Sequence, residues 1–384
     1  MTTHVFIVDD VTFKCHLEYM FAGTGAKEKT IDFNNSNTTN LYHSTEDGLV
    51  AMMADCSRVR KGDYVIFYLL QGKLNGRFHE GRFYGIFKID SEPFLDSQGK
   101  YLKDKLCKTL TFRVKIKPFE VYAKGVTEWQ ALDEIKNITS PCQMLWSLIY
   151  RKLKGNRGNT MITLYEASRL FNLLRLENNN QPITNANSYG FNFDTFEIEI
   201  GSDGANYKGA IHPFNIQPRL ISKYGALKSH EAHLQMYITQ NLGTNKNASL
   251  DSALDAEGDI EWLGNEVSCG VGMQRIDVMF SKKVDDTKSI LVPIELKAVF
   301  PTENTVNQLR RYVDWIEQYY IPNKPSVIQP VLLCKTVNPL PDCIKRSFHN
   351  FNADYRNRCK QLKYIEYYVD NDKIVFKQVD YLDV

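Results

Sequence analysis

The chain has 384 residues, of which 43% are apolar and 24% charged. That balance excludes a disordered or fibrous chain, and the length supports two or three cored domains. A formal net charge of +2 excludes a globally basic nucleic-acid coat but leaves a local basic surface open.

No apolar run is long enough to cross a bilayer, and residues 1–6 lack the basic segment and apolar core of a leader. A cytoplasmic protein without a membrane partner is expected. Eight cysteines are scattered without a Cys-x-x-Cys pair. They read as free thiols in a reducing compartment rather than as zinc ligands.

The first half reads as a small β-barrel-like domain. Short apolar runs at 5–8, 64–70, 82–89 and 110–121 predict strands, and Lys61-Gly62-Asp63 predicts a tight turn. Phe67, Tyr68, Phe83, Tyr84 and Trp129 are candidates for a base-binding pocket, although alternate strand residues must also fill the core. Residues 150–159 place Arg151, Lys152, Lys154 and Arg157 among two glycines after an apolar helix. That composition suits a DNA phosphate contact and equally a solvated turn. The polar stretch 176–188 predicts a break. The expected division is a DNA-recognition domain over 1–175, a connecting region over 176–210 and a second domain over 211–384.

In that second domain the predicted order is helix, strand, strand, strand, helix, strand, which suits an α/β mixed sheet with helices on both faces. Glu231 opens a helix whose apolar face includes Leu234, Tyr237 and Ile238. Residues 260–267, 275–280 and 291–297 predict strands, with a polar loop at 281–289 between the last two. After Pro301, Val306, Leu309, Val313, Ile316 and Tyr320 recur at helical spacing, and residues 327–333 predict a further strand.

The chemistry gathers on the second and third of these strands. Glu295 and Lys297 share a face because residues i and i+2 point the same way, and Leu296 points into the other. Asp277 lies 18 residues before Glu295, which suits a hairpin. Ionised groups among Val292, Ile294, Leu296 and Ala298 are costly to bury without a partner or a metal. Two carboxylates suit Mg²⁺, for which Mn²⁺ can substitute, and a lysine can orient a water or offset charge at a phosphate. A salt bridge on an ordinary hairpin is the alternative. Glu231 either reaches this site or serves the helix dipole. Glu261 and Glu266 are rivals for a third acidic role, and they face opposite sides of their strand.

The pattern Asp277 … Glu295-Leu296-Lys297 resembles the PD-(D/E)xK superfamily of metal-dependent nucleases, which includes many type II restriction enzymes. A narrower resemblance runs through Glu231-Ala232-His233-Leu234, Ile260-Glu261-Trp262-Leu263-Gly264-Asn265-Glu266-Val267, Gly270-Val271-Gly272 and Gln308-Leu309-Arg310-Arg311-Tyr312. Their order is similar to the catalytic domain of archaeal and actinobacterial mismatch-cutting endonucleases. The resemblance implies a restriction-endonuclease-like nuclease domain with Asp277 and Glu295 as metal ligands. It implies Glu231, Lys297, Gln308 and Tyr312 as further catalytic residues, with Tyr312 and Arg311 near the DNA backbone. Residues 59–68 and 83–89 resemble the pseudouridine-synthase-like (PUA-like) barrels, some of which read modified bases in DNA. The expectation is a Mg²⁺-dependent endonuclease acting on double-stranded DNA, working as a homodimer, with type II restriction as its role. A mismatch-repair endonuclease is the near alternative, and an inactive DNA-binding protein a further one.

Overall fold

The computed structural model describes residues 1–25, 43–74, 77–96, 101–107, 110–133, 137–139, 158–201, 207–226, 230–258, 260–269, 274–320 and 326–381. The chain forms two compact units of mixed α/β structure. The first ends at Phe214, and the second, short upstream segments apart, begins at Asn215.

The first unit contains β1 (Thr3–Val8), β2 (Phe21–Thr24), β3 (Tyr64–Leu69), the small hairpin β4 (Gly72–Leu74) and β5 (Arg77–His79), β6 (Arg82–Ile89), β7 (Phe94–Leu95), β8 (Phe112–Pro118), β9 (Val126–Thr127) and β10 (Asn159–Ile162). Its main sheet runs β10-β1-β3-β6-β8-β2. Among the described residues no pairing joins its two ends, so the expected barrel is a half-barrel. β1 and β3 are parallel, and the other neighbours along this path are antiparallel.

The central strands are apolar without alternation because both faces are covered. Phe6, Val8, Val65, Phe67 and Leu69 pack on one side with Phe13 and Leu17 of the helix Asp10–Tyr19. Val5, Ile66, Tyr68, Phe83 and Ile86 pack on the other with Ala167, Leu170 and Leu174 of the helix Leu164–Glu177. The segment expected to connect two domains belongs to this packing. It forms a hairpin, β11 (Tyr189–Asn192) and β12 (Glu197–Ile200), and buries Tyr189, Phe191 and Ile198 against the first core. Three well-spaced apolar anchors suffice to dock a stretch whose composition is otherwise polar.

The second unit carries β13 (Ile260–Ser268), β14 (Arg275–Lys283), β15 (Ser289–Lys297), β16 (Ser326–Ile328), β17 (Val331–Lys335), β18 (Lys363–Asp370) and β19 (Lys373–Gln378). The order β13-β14-β15-β17-β18-β19 begins with antiparallel neighbours, turns parallel across β15-β17-β18 and ends in a hairpin. The helices Glu303–Trp315 and Asp342–Asp354 supply the crossovers that parallel strands require. The helix Glu231–Asn241 packs across β13, β14 and β15.

Two expected boundaries shift. The polar loop at 281–289 shrinks because Lys283 pairs with Ser289. The single strand expected at 327–333 is divided at Gln329-Pro330, where proline removes a ladder donor. No described helix is long and apolar enough to cross a membrane. The described cysteines are free thiols.

Candidate active site

The site forms where two strands stop pairing. β14 and β15 are in register from Lys283–Ser289 as far as Val278–Ile294. The next residue of β14 is Asp277. Its Oδ2 accepts a hydrogen bond from the Leu296 amide at 2.8 Å, so a side chain takes up a main-chain donor of β15. Leu296 itself is buried, as its alternation with Glu295 and Lys297 predicts.

Glu295 is deep, with a side chain 1% exposed, and Lys297 beside it is 21% exposed. The Lys297 Nζ stands 2.7 Å from Glu295 Oε1 and 3.6 Å from Oε2 of Glu231. Glu231 begins its helix, and its side chain is 43% exposed. The Tyr312 hydroxyl, on the helix Glu303–Trp315, lies against Glu295 Oε2 and 2.8 Å from the Arg275 carbonyl oxygen. Residues far apart in sequence are therefore collected at the C-terminal end of β15, where ligands commonly meet open α/β sheets.

The electrostatics follow from crowding acids in a poorly solvated place. Burial, reinforced by Glu295, raises the pKa of Asp277 well above the ordinary carboxylate range. Burial also raises Glu231, against the pull of Lys297 and with a further push from Glu295. For Lys297 burial acts downward, yet Glu295, Glu231 and Asp277 outweigh it and hold the ammonium above its usual pKa. The Tyr312 phenol is pushed up by burial and by Glu295 and stays protonated.

Three carboxylates against one ammonium, were all ionised, leave an excess of two negative charges. The donors are all oxygen, which fits a hard divalent cation that takes one or two carboxylates and completes its shell with water and substrate. Among the described residues no group of three or more His, Cys, Asp or Glu side chains forms a ready-made cage. Glu295 Oε1 is buried without a well-directed hydrogen bond, although Lys297 is close. Asp277 and Glu295 are the residues that fit a cation here.

The other expected residues divide. Gln308 is half-buried one turn before Tyr312 and is not hydrogen-bonded to the cluster; Arg311 is exposed. Tyr312 is buried with its hydroxyl turned into the site. Arg151, Lys152, Lys154 and Arg157 lie outside the described residues. Glu261 accepts from the Ser281 and Ser289 hydroxyls and pins the strand ends, a structural role. Phe67, Tyr68, Phe83 and Tyr84 are core residues rather than a pocket, and Trp129 is 64% exposed.

A second layer was not anticipated. Gln235 donates to the Asp277 carbonyl oxygen at 2.8 Å and to Glu266 Oε1 at 3.1 Å. Glu266 Oε2 in turn accepts from Arg275 Nη1 at 2.8 Å. The signal for Gln235 was a polar residue inside an apolar helical run, four positions after Glu231 and so on the same face.

No family model matches the chain. A UPF0310 protein of Pyrococcus abyssi is 36% identical over 64 residues, a match taking in 17% of this chain and 45% of that protein. The chain thus spans under half the length of that curated relative. A solved hypothetical protein from Leishmania major aligns with 46% of this chain and 96% of its own at 12% identity, with a TM-score of 0.28. That score carries no argument about fold or activity.

Proposed function

We propose that the second unit is a PD-(D/E)xK-type nuclease domain and that the protein is a metal-dependent endonuclease hydrolysing phosphodiester bonds in duplex DNA. The reading rests on one observation: Asp277, Glu295, Lys297 and Glu231 meet at the open end of β14 and β15. Asp277 and Glu295 would hold Mg²⁺, or Mn²⁺ in its place. Such a cation offsets charge on the phosphoryl oxygens of the substrate. Lys297 orients the attacking water through its Nζ and offsets charge developing at the scissile phosphate. Glu231, the carboxylate most open to solvent among these, takes the proton that the water releases. Tyr312 keeps Glu295 fixed by hydrogen bonding its inner oxygen.

The two-unit organisation supports a reader joined to a cutter, as in type II restriction, with a homodimer cutting both strands of a symmetric site. Mismatch repair is the second reading, favoured by the order of Glu231, Asp277, Glu295, Lys297 and Tyr312 along the chain. Digestion by the purified full-length protein tests both. Restriction expects discrete fragments from perfectly paired DNA, altered by methylation, and no cutting in chelator. Repair expects paired DNA to survive and a duplex with one mispair to be cut beside it. Cutting that persists in chelator would overturn the metal assignment.

A further inference from the structure

Gln235 is 5% exposed, a buried amide in the second turn of the helix Glu231–Asn241. Its two contacts lie on different strands, the Asp277 carbonyl on β14 and the Glu266 carboxylate on β13. At that level the two strands run side by side. Asn265 pairs with Val278 and Val267 with Ile276, so Glu266 and Asp277 fall opposite one another. Glu266 has a φ of 52°, in the left-handed region that a non-glycine residue seldom adopts inside a strand. Such backbone persists only where its surroundings hold it, and it concentrates at functional sites. Here Arg275 and Gln235 grip the Glu266 carboxylate from either end. The neighbouring carbonyl of Arg275 receives the Tyr312 hydroxyl.

We propose that Gln235 is a positioning residue: its amide ties β13 and β14 together from the covering helix and, through Glu266 and Arg275, fixes the main chain that presents the Asp277 carboxylate beside Glu295. The proposal rests on the reading of Asp277 as a metal carboxylate. Pairing with β15 ends at Val278, so the main chain at Asp277 lacks that neighbour's ladder, and a side-chain amide from the covering helix adds a fixed hydrogen bond there.

The test is divalent-metal binding, measured by calorimetry with Mn²⁺ and Mg²⁺ on the full-length protein without DNA, beside single-turnover cleavage. Gln235→Met keeps the length of the side chain and removes both donors. It should weaken metal binding by about tenfold to hundredfold, the usual cost of losing a residue that orients a ligand. The metal concentration for half-maximal cleavage should rise in parallel, while KM for duplex stays near parental. If Gln235→Met does not fold, Arg275→Gln breaks the same chain from its exposed end and should give a smaller loss in the same direction. Parental metal affinity in a folded variant would overturn the proposal alone. Parental protein that binds no divalent ion would overturn the nuclease reading as well, and the two results are told apart on the parental protein.

Discussion

Asp277 and Leu296 are joined across a gap where their strands no longer pair, carboxylate oxygen to amide nitrogen at 2.8 Å. One oxygen of Asp277 is therefore structural, and on the proposed reading the other is the one that meets the metal. Asp277→Asn separates the two roles. The amide oxygen can still accept from Leu296, so the fold should survive. Metal binding and cleavage should both be lost, as read by calorimetry and single-turnover digestion, while duplex affinity in a gel-shift assay stays close to parental.

The raised pKa of Asp277 has a consequence for stability. An acid whose folded pKa lies above its unfolded value, about 3.9 for Asp, binds protons more tightly in the native state. The stability tied to the protonated form is complete below the unfolded pKa and is lost as pH rises through the folded one. Glu231 acts in the same direction. The melting temperature in chelator should therefore fall as pH climbs from the ordinary carboxylate range. Asp277→Asn should flatten that fall, and Mg²⁺ should reverse it in the parental protein only.

Lys297→Ala removes the ammonium that faces Glu295 and Glu231. Cleavage should slow by on the order of 10²-fold or more, as for loss of a donor aimed at developing charge. Because Glu295 is left buried without its ammonium partner, the variant should also be less stable in chelator, by about 3 kcal/mol. Added Mg²⁺ should restore much of that stability and none of the rate. A parental single-turnover rate would mean that another lysine serves the phosphate.

Tyr312→Phe deletes a hydroxyl placed between Glu295 and the Arg275 carbonyl. Denaturant unfolding should show a loss of about 1.5–3 kcal/mol, that of a buried hydrogen bond whose acceptor is charged. The cleavage rate should drop less than with Asp277→Asn. Gln308→Ala, outside the hydrogen-bonded cluster, should have the smallest effect of the three. A reversed ranking in single-turnover assays would move the functional face of the helix from Tyr312 to Gln308.

Much of the second unit was legible because its signals are local. The i, i+2 rule alone puts Glu295 and Lys297 on one face, and their contact confirms that placement. The helix carrying Tyr312 was readable from apolar spacing. What escaped depends on partners distant in sequence. Ser281 and Ser289 look like loop residues until Glu261 accepts both hydroxyls and keeps them in strands. Residues 189–200 look like a linker until the first core is there to receive them. The bond from Gln235 to Asp277 spans 42 residues and involves a carbonyl, which every residue has and no sequence pattern marks.

The sheet of the first unit has helices or a hairpin on each side of its central strands. Its aromatic residues are thereby committed to packing, and a change at Phe67 or Tyr84 would be felt as lost stability before it altered any preference. On the proposed reading of this unit as a DNA reader, the residues that set its preference are expected on its rim: the strand edges and the connections between them. A substitution on that rim should then alter preference at little cost in stability, and one in the interior should do the reverse.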